Sequence, residues 1–309
     1  MTVVPGRSSP GGVTAPRGAP PPRGDVDDAR RRRLLAYALL LPGALWLLVF
    51  FVAPTVTLVS TSLWDPSGSI LYGYELTYHW LNYLDGVRDY GPQLWRSVGY
   101  AGTATLACVL LGYPLAYAIA FKAGGWKNVM LVLVIAPFFT SFLVRTLAWQ
   151  MLLGDNGWAA SVLRSLHLLG ADGHLLATPF AVVTGLTYNF LPFMVLPLYA
   201  SLEKMDPRLI EAGGDLYASP FTTFRKVTLP LSLPGLVAGT LLTFIPAAGD
   251  YINAELLGTP RTRMIGNEIQ DLFSAGAYPE AAALSVTLMV VIVTLVAIYV
   301  RRTGTEDLV

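Results

Sequence analysis

Two carboxylates, Asp250 and Glu255, stand five residues apart where an apolar run from 231 gives way to polar sequence. Carboxylates in such a place can pair ammonium groups, and aromatic faces from Trp149, Tyr188 and Tyr251 could take up the rest of a cation's charge. The same residues admit a second reading. An ionisable side chain near a bilayer costs some 2.5 to 3.5 kcal/mol at mid-helix, and pairing Asp250 with Arg145 would relieve that cost. The two readings are not exclusive. Other chemistry is poorly served: His79, His167 and His174 fall outside the apolar runs, no HExxH occurs, and no metal site is expected. The lone Cys108 cannot form an intrachain disulfide, and no phosphate-cradling Gly-x-x-x-x-Gly-Lys-Ser/Thr is present.

These residues must be positioned by a chain built for lipid. Of 309 residues, 54% are hydrophobic and 13% charged, and the mean hydropathy is +0.53. A bilayer needs about 20 apolar residues per helical span. Six stretches qualify, at about 34–60, 97–121, 128–148, 178–202, 231–250 and 281–300, and the expected fold is an all-α integral membrane bundle. Residues 1–29, rich in Pro, Gly and Ser, read as a disordered tail. The membrane-spanning body is expected over 30–302, followed by a short tail at 303–309. The arginines at 30–33 before a long apolar run resemble an uncleaved signal anchor. No basic patch interleaved with aromatics points to nucleic acid.

Lys and Arg collect in the N-terminal tail, at 122–127, at 203–230 and at Arg301 and Arg302. The alternate loops hold Arg88, Arg96, Arg164, Arg261 and Arg263. The positive-inside rule therefore places both termini in the cytoplasm. Trp64, Trp80, Trp95, Trp149 and Trp158 fall on or near the opposite side, as an interfacial belt would. Pro137, Pro192, Pro197 and Pro246 allow bends inside spans, and Gly235 and Gly239 in GLVAG favour close helix packing.

One cytoplasmic stretch is polar and punctuated. In DPRLIEAGGDLYASPFTTFRKVTLP, Asp206 before Pro207 and Ser219 before Pro220 each read as an N-cap with proline at the first helical position. Two starts imply two short helices and a turn.

Here the chain resembles the EAA loop of permease subunits of ABC importers. Glu211, Ala212 and Gly213 match its first part, Ala218 its second, and Phe224, Val227, Leu229 and Pro230 its third. Gly213 stands where the family has a second alanine and Tyr217 where it has a glycine. A left-handed turn at Tyr217 would cost roughly 1 kcal/mol. The resemblance runs over about 34–300 and is strongest to the polyamine (spermidine and putrescine) branch, through residues 136–157, 189–219 and 244–269. It implies a type I importer fold with Glu211, Ala212, Gly213, Asp215, Tyr217 and Ala218 docking on a cytoplasmic ATPase dimer. It also implies a second permease subunit, an extracytoplasmic binding protein, a bacterial inner-membrane location, and Mg-ATP bound by the partner, with no cofactor in this chain. Importers of ferric iron, thiamine or sulfate share the architecture. A self-contained secondary carrier is the rival class, and no repeat relates 34–150 to 178–300 as such carriers often show.

Overall fold

A computed structural model describes residues 37–170 and 173–303. The expected tail at 1–29, the arginines at 30–33 and all of the expected tail at 303–309 but Thr303, which ends the last helix, lie outside the described residues. The chain divides into two compact units, Met1–Thr57 and Leu58–Val309. In the first lies most of helix α1 (Tyr37–Thr61), an apolar helix long enough to cross a bilayer, with a π turn over Leu48–Val52.

Among the described residues of the second unit the regular elements are helices, apart from isolated bridges pairing Trp64 with Leu76 and Ser69 with Gly73. Its helices are α2 (Leu81–Phe121), α3 (Lys127–Ile135), α4 (Phe142–Leu153), α5 (Trp158–Ser165), α6 (Pro179–Glu203), α7 (Arg208–Asp215), α8 (Pro220–Thr223), α9 (Leu229–Ala248), α10 (Ile252–Leu257), α11 (Ile265–Ser274) and α12 (Tyr278–Thr303). Helix α2 begins 16 residues before the expected second span, and its 41 residues carry Pro92 and Pro114 inside the helix. Helix α8, a π turn over Phe224–Thr228 and α9 run on as one helical segment, Pro220–Ala248.

The expected third span at 128–148 is not one straight helix. The segments Gly124–Phe139 and Phe142–Ser165 meet at 97°. Pro137 opens a tight 3-10 turn, and the chain then leaves helical geometry at Thr140 (ψ 151°) and Ser141 (ψ 138°) before α4 restarts. A proline removes one backbone donor, and two extended residues turn the axis. Asp250, expected at the end of the fifth span, lies beyond it, because α9 ends at Ala248.

Helices α2, α6 and α9 pack together as the centre of the bundle. Toward the end that carries residues 203–230, the core holds Ile119, Met194, Val195, Leu198 and Leu202. Toward the far end it holds Ala101, Ala104, Leu186, Phe190 and Ala247, joined by Leu257 and Met264. A third cluster of Leu94, Ile265, Leu284 and Leu288 fastens α11 and α12 to α2.

Small residues let α9 lie directly on α6. A Cβ built at Gly235 would stand 2.6 Å from the Pro197 carbonyl oxygen and 2.5 Å from Ser201 Cβ. Backbone cannot step aside as a flexible side chain can, so overpacking there costs about 1 to 3 kcal/mol or more. Gly99, by contrast, faces open space in the middle of α2. Gly235→Val should therefore lower the thermal midpoint of the detergent-solubilised protein by several degrees. Gly99→Ala should hold or raise it, since alanine outranks glycine in a helix by about 1 kcal/mol. Equal midpoints for the two variants would contradict this packing.

Candidate functional site: a helical hairpin and a buried polar knot

The polar stretch at 203–230 folds as two short helices with a closed turn. Asp206 Oδ1 accepts the Arg208 amide at 3.0 Å and starts α7, with Glu211 in its first turn, where the helix dipole favours a negative charge. At the other end, the Ala218 amide donates to the Gly213 carbonyl at 3.0 Å and the Tyr217 amide to the Gly214 carbonyl at 2.9 Å. This is the Schellman pattern, which places its C′ residue in the left-handed region. Tyr217 is that residue, with φ +54°. Its ring is 99% exposed, so no burial of the side chain offsets the backbone strain. Ser219 then caps α8, its Oγ accepting the Thr222 amide at 3.3 Å.

The hairpin has an anchored side and an open side. Ile210 and Phe224 pack against the core cluster around Met194 and Leu198. Leu209, Leu216, Tyr217 and Phe221 are exposed, as are Glu211, Ala212 and Asp215. An apolar surface ringed by carboxylates on a pair of fixed helices is suited to seat in a groove of another protein.

Gly213 is more than a tolerated departure from an alanine pattern. A Cβ there would lie 2.7 Å from Thr223 Oγ1 and 2.9 Å from Thr223 Cγ2. The absent methyl is what allows α7 and α8 to close.

The far end holds a polar knot where α9 stops. Asp250 is buried, and its Oδ1 accepts both the Asn253 amide at 2.8 Å and Asn253 Nδ2 at 3.2 Å. Asn253 Oδ1 in turn accepts Asn189 Nδ2 at 3.1 Å and the Thr146 hydroxyl at 3.4 Å. Asn189 Nδ2 also reaches Thr146 Oγ1 at 3.2 Å. Buried amides and hydroxyls of α4, α6 and α10 thus meet beside Asp250. The sequence reading missed Thr146, Asn189 and Asn253, which carry no charge or motif to mark them.

The expected pair between Arg145 and Asp250 is not formed. Arg145 is buried with its guanidinium 5.9 Å from the Phe138 ring centroid and 5.6 Å from that of Phe142. Its Nε and Nη1 have no hydrogen-bond partner among the described residues. The bend at 140–141 brings the rings of both limbs to the guanidinium, while Asp250 Oδ1 is held by the backbone and side-chain amides of Asn253.

Glu255 is drawn into a different cluster. Its Oε2 accepts Asn267 Nδ2 at 3.1 Å and lies 3.9 Å from Arg263 Nη2. Arg263 also faces Glu268 at 3.7 Å and donates to Asp271. The Asp271 hydrogen bond holds the Arg263 proton more tightly than an ordinary guanidinium does. Trp149 and Tyr188 do meet, edge to face at 5.3 Å, while Tyr251 stands apart with 41% exposure. No group of three His, Cys, Asp or Glu among the described residues could hold a metal ion.

This helical bundle, with an exposed hairpin at one end and a polar knot at the other, has the fold of type I ABC importer permeases. A bacterial ABC transporter for import of the acidic polysaccharide alginate superposes with a TM-score of 0.63 at 18% identity, covering 92% of this chain and 99% of that one. Residues 103–303 match the family described as the binding-protein-dependent transport system inner membrane component. The chain belongs to that family: it is a permease subunit of an ABC importer, a transport component and not an enzyme. The spermidine/putrescine transport system permease proteins PotB of Haemophilus influenzae and of Escherichia coli are each 36% identical to it. The alignments cover 83% of this chain and 90% and 93% of those proteins. The Escherichia coli inner membrane ABC transporter permease YdcU is 34% identical over 69% of this chain and 71% of its own length.

The close approach of α7 to α8 yields a test. Gly213→Ala, although it restores the family's alanine, should speed amide exchange across 208–223, because one crowded methyl costs on the order of 1 kcal/mol. Adding Thr223→Ala should bring exchange back toward that of the unsubstituted chain. Slow exchange in the single variant would show that the glycine is not required for closure.

Proposed function

We propose that this permease imports a small organic polycation of the spermidine and putrescine class. The relation to two PotB proteins over more than four-fifths of the chain carries the reading. A further relative, PotC of Escherichia coli, is 32% identical over 47% of this chain and bears the same transport-system name. Physical features support it. The loops opposite the hairpin hold more carboxylates than arginines, a field that concentrates cations at the entry side. Asp250, held by Asn253 beside the Asn189 and Thr146 amide and hydroxyl cluster, offers a fixed carboxylate at the end of α9. The Trp149 and Tyr188 rings supply aromatic faces on the neighbouring α4 and α6. Glu255 and Tyr251, nearer the surface, belong to the approach and not to the deepest contact.

The working unit pairs this chain with a second permease subunit, a cytoplasmic ATPase dimer that binds Mg-ATP, and an extracytoplasmic binding protein that delivers the cargo. Both termini and the 203–230 hairpin face the cytoplasm. Glu211, Ala212, Asp215, Tyr217 and Ala218 form the coupling surface, with Gly213 allowing the hairpin to close. ATP-driven closure of the ATPase pulls on the hairpin, and because the hairpin is continuous with α6 and α9, those helices rock as rigid bodies and switch access between faces. This chain itself binds no nucleotide.

Uptake by proteoliposomes of the assembled importer tests both ends. Glu211→Lys should cut binding-protein-dependent uptake more than tenfold while membrane insertion persists, since a reversed charge in a docked interface costs several kcal/mol. Asp250→Asn keeps an oxygen for Asn253 but loses the charge, and spermidine uptake should fall roughly tenfold or more with assembly intact. Undiminished transport in the first variant removes the hairpin from coupling. Unaltered uptake kinetics in the second removes Asp250 from the cargo path.

A further inference from the structure

Between the hairpin and the bundle lies a five-residue π turn, and one side chain of another helix touches its first residue directly and reaches the residue after the turn through a serine. The turn spans Phe224–Thr228 and is closed by the Leu229 amide donating to the Phe224 carbonyl. Its local cause is legible: Pro230 has no amide to donate to the Lys226 carbonyl, so the α-type ladder cannot continue there. A π turn inside an α-helix is rare and persists only where surroundings support it.

Tyr113 of α2 supplies that support. Its ring meets Phe224, the first residue of the turn, edge to face at 5.4 Å and 82°. Its hydroxyl lies 2.6 Å from Ser232 Oγ in a buried setting. Ser232 has one hydroxyl proton, which it donates to the Leu229 carbonyl at 3.1 Å, so the Tyr113 hydroxyl is the donor to Ser232. The chain of bonds therefore runs from Tyr113 through Ser232 to Leu229, the residue whose amide closes the turn. Tyr113 itself sits on a weak point of α2, because Pro114 cannot donate to the Leu110 carbonyl.

We propose that Tyr113 is a positioning residue that clamps the π turn at Phe224–Thr228 and makes α2 move with the hairpin, so that its ring and hydroxyl set how much of the ATPase stroke reaches the bundle. This rests on the coupling role given to the hairpin above. Displacing the hairpin displaces Phe224, and the ring contact pushes α2 at its proline. The hydrogen bond through Ser232 keeps α9 in step, so three central helices respond together. Without the bond, the π turn can absorb the displacement by loosening its closure between the Leu229 amide and the Phe224 carbonyl, and the stroke is spent locally.

The experiment compares the unsubstituted importer, assembled with its ATPase, second permease and binding protein in proteoliposomes, with Tyr113→Phe, Ser232→Ala and the double variant. Spermidine imported per ATP hydrolysed should fall about three- to tenfold in each single variant, the factor one net hydrogen bond represents. Assembly and the KM for spermidine should stay the same. The double variant should be no worse than Ser232→Ala alone, because both substitutions break the same Tyr113–Ser232 hydrogen bond. An unchanged ratio of spermidine to ATP in Tyr113→Phe, or losses that multiply in the double variant, would overturn the proposal. A second measurement does not depend on transport: amide exchange over 224–229 in the full-length permease should quicken about three- to tenfold in Tyr113→Phe, and equal exchange would also overturn it. If the unsubstituted complex fails to couple hydrolysis to uptake, the functional reading fails instead, and the exchange measurement still decides whether Tyr113 holds the turn.

Discussion

In hydrocarbon no backbone amide or carbonyl can fall back on water, and every departure from helix in this protein has to be met by another part of the protein. Straight helical segments solve this within themselves. The informative places are where they do not. Asp250 receives the amide that α10 would otherwise leave open, Ser232 and Tyr113 gather at the π turn that Pro230 forces, and the bend after Pro137 is flanked by Arg145 lying over Phe138 and Phe142. These three interruptions fall on elements that touch α6, the helix with the most buried residues.

The two ends of the bundle meet opposite requirements. At the far end, polar groups turn to one another: Asn189, Thr146 and Asn253 are joined by hydrogen bonds, and Arg263 gathers Glu255, Glu268 and Asp271. At the hairpin, the apolar residues Leu209, Leu216 and Phe221 are left facing outward, which makes sense for a surface that another chain covers. Between them, α2, α6 and α9 pack with glycines at contact points, so that α9 has little room to deform against α6 and moves with it. A proposed stroke applied at one end is therefore delivered to the other with small loss, provided the π turn does not yield.

Much of this arrangement was legible in residues 37–303. The hairpin could be read from Asp206 with Pro207 and Ser219 with Pro220, because capping is a local interaction between a side chain and amides two or three residues away. The strain at Tyr217 was legible only through the family resemblance, which puts a glycine at that position, and the residue does adopt the left-handed region. The third span was misread as continuous, since Pro137 alone says that a bend is allowed but not that Thr140 and Ser141 become extended. The pair of Arg145 with Asp250 was also misread: charge complementarity proposes partners without regard to which amide lies nearer.

The sequence by itself determined the solvent, the number of apolar segments and the helical hairpin, because hydropathy, proline placement and capping act over a few residues. Only the tertiary structure decided what those segments meet: that Thr146, Asn189 and Asn253 cluster beside Asp250, that Gly213 makes room for Thr223, and that Tyr113 meets Phe224 and Ser232 on either side of a turn more than a hundred residues further along. Uncharged side chains announce nothing in a linear pattern. Their roles come from proximity, and proximity is set by how α2, α4, α6 and α9 pack.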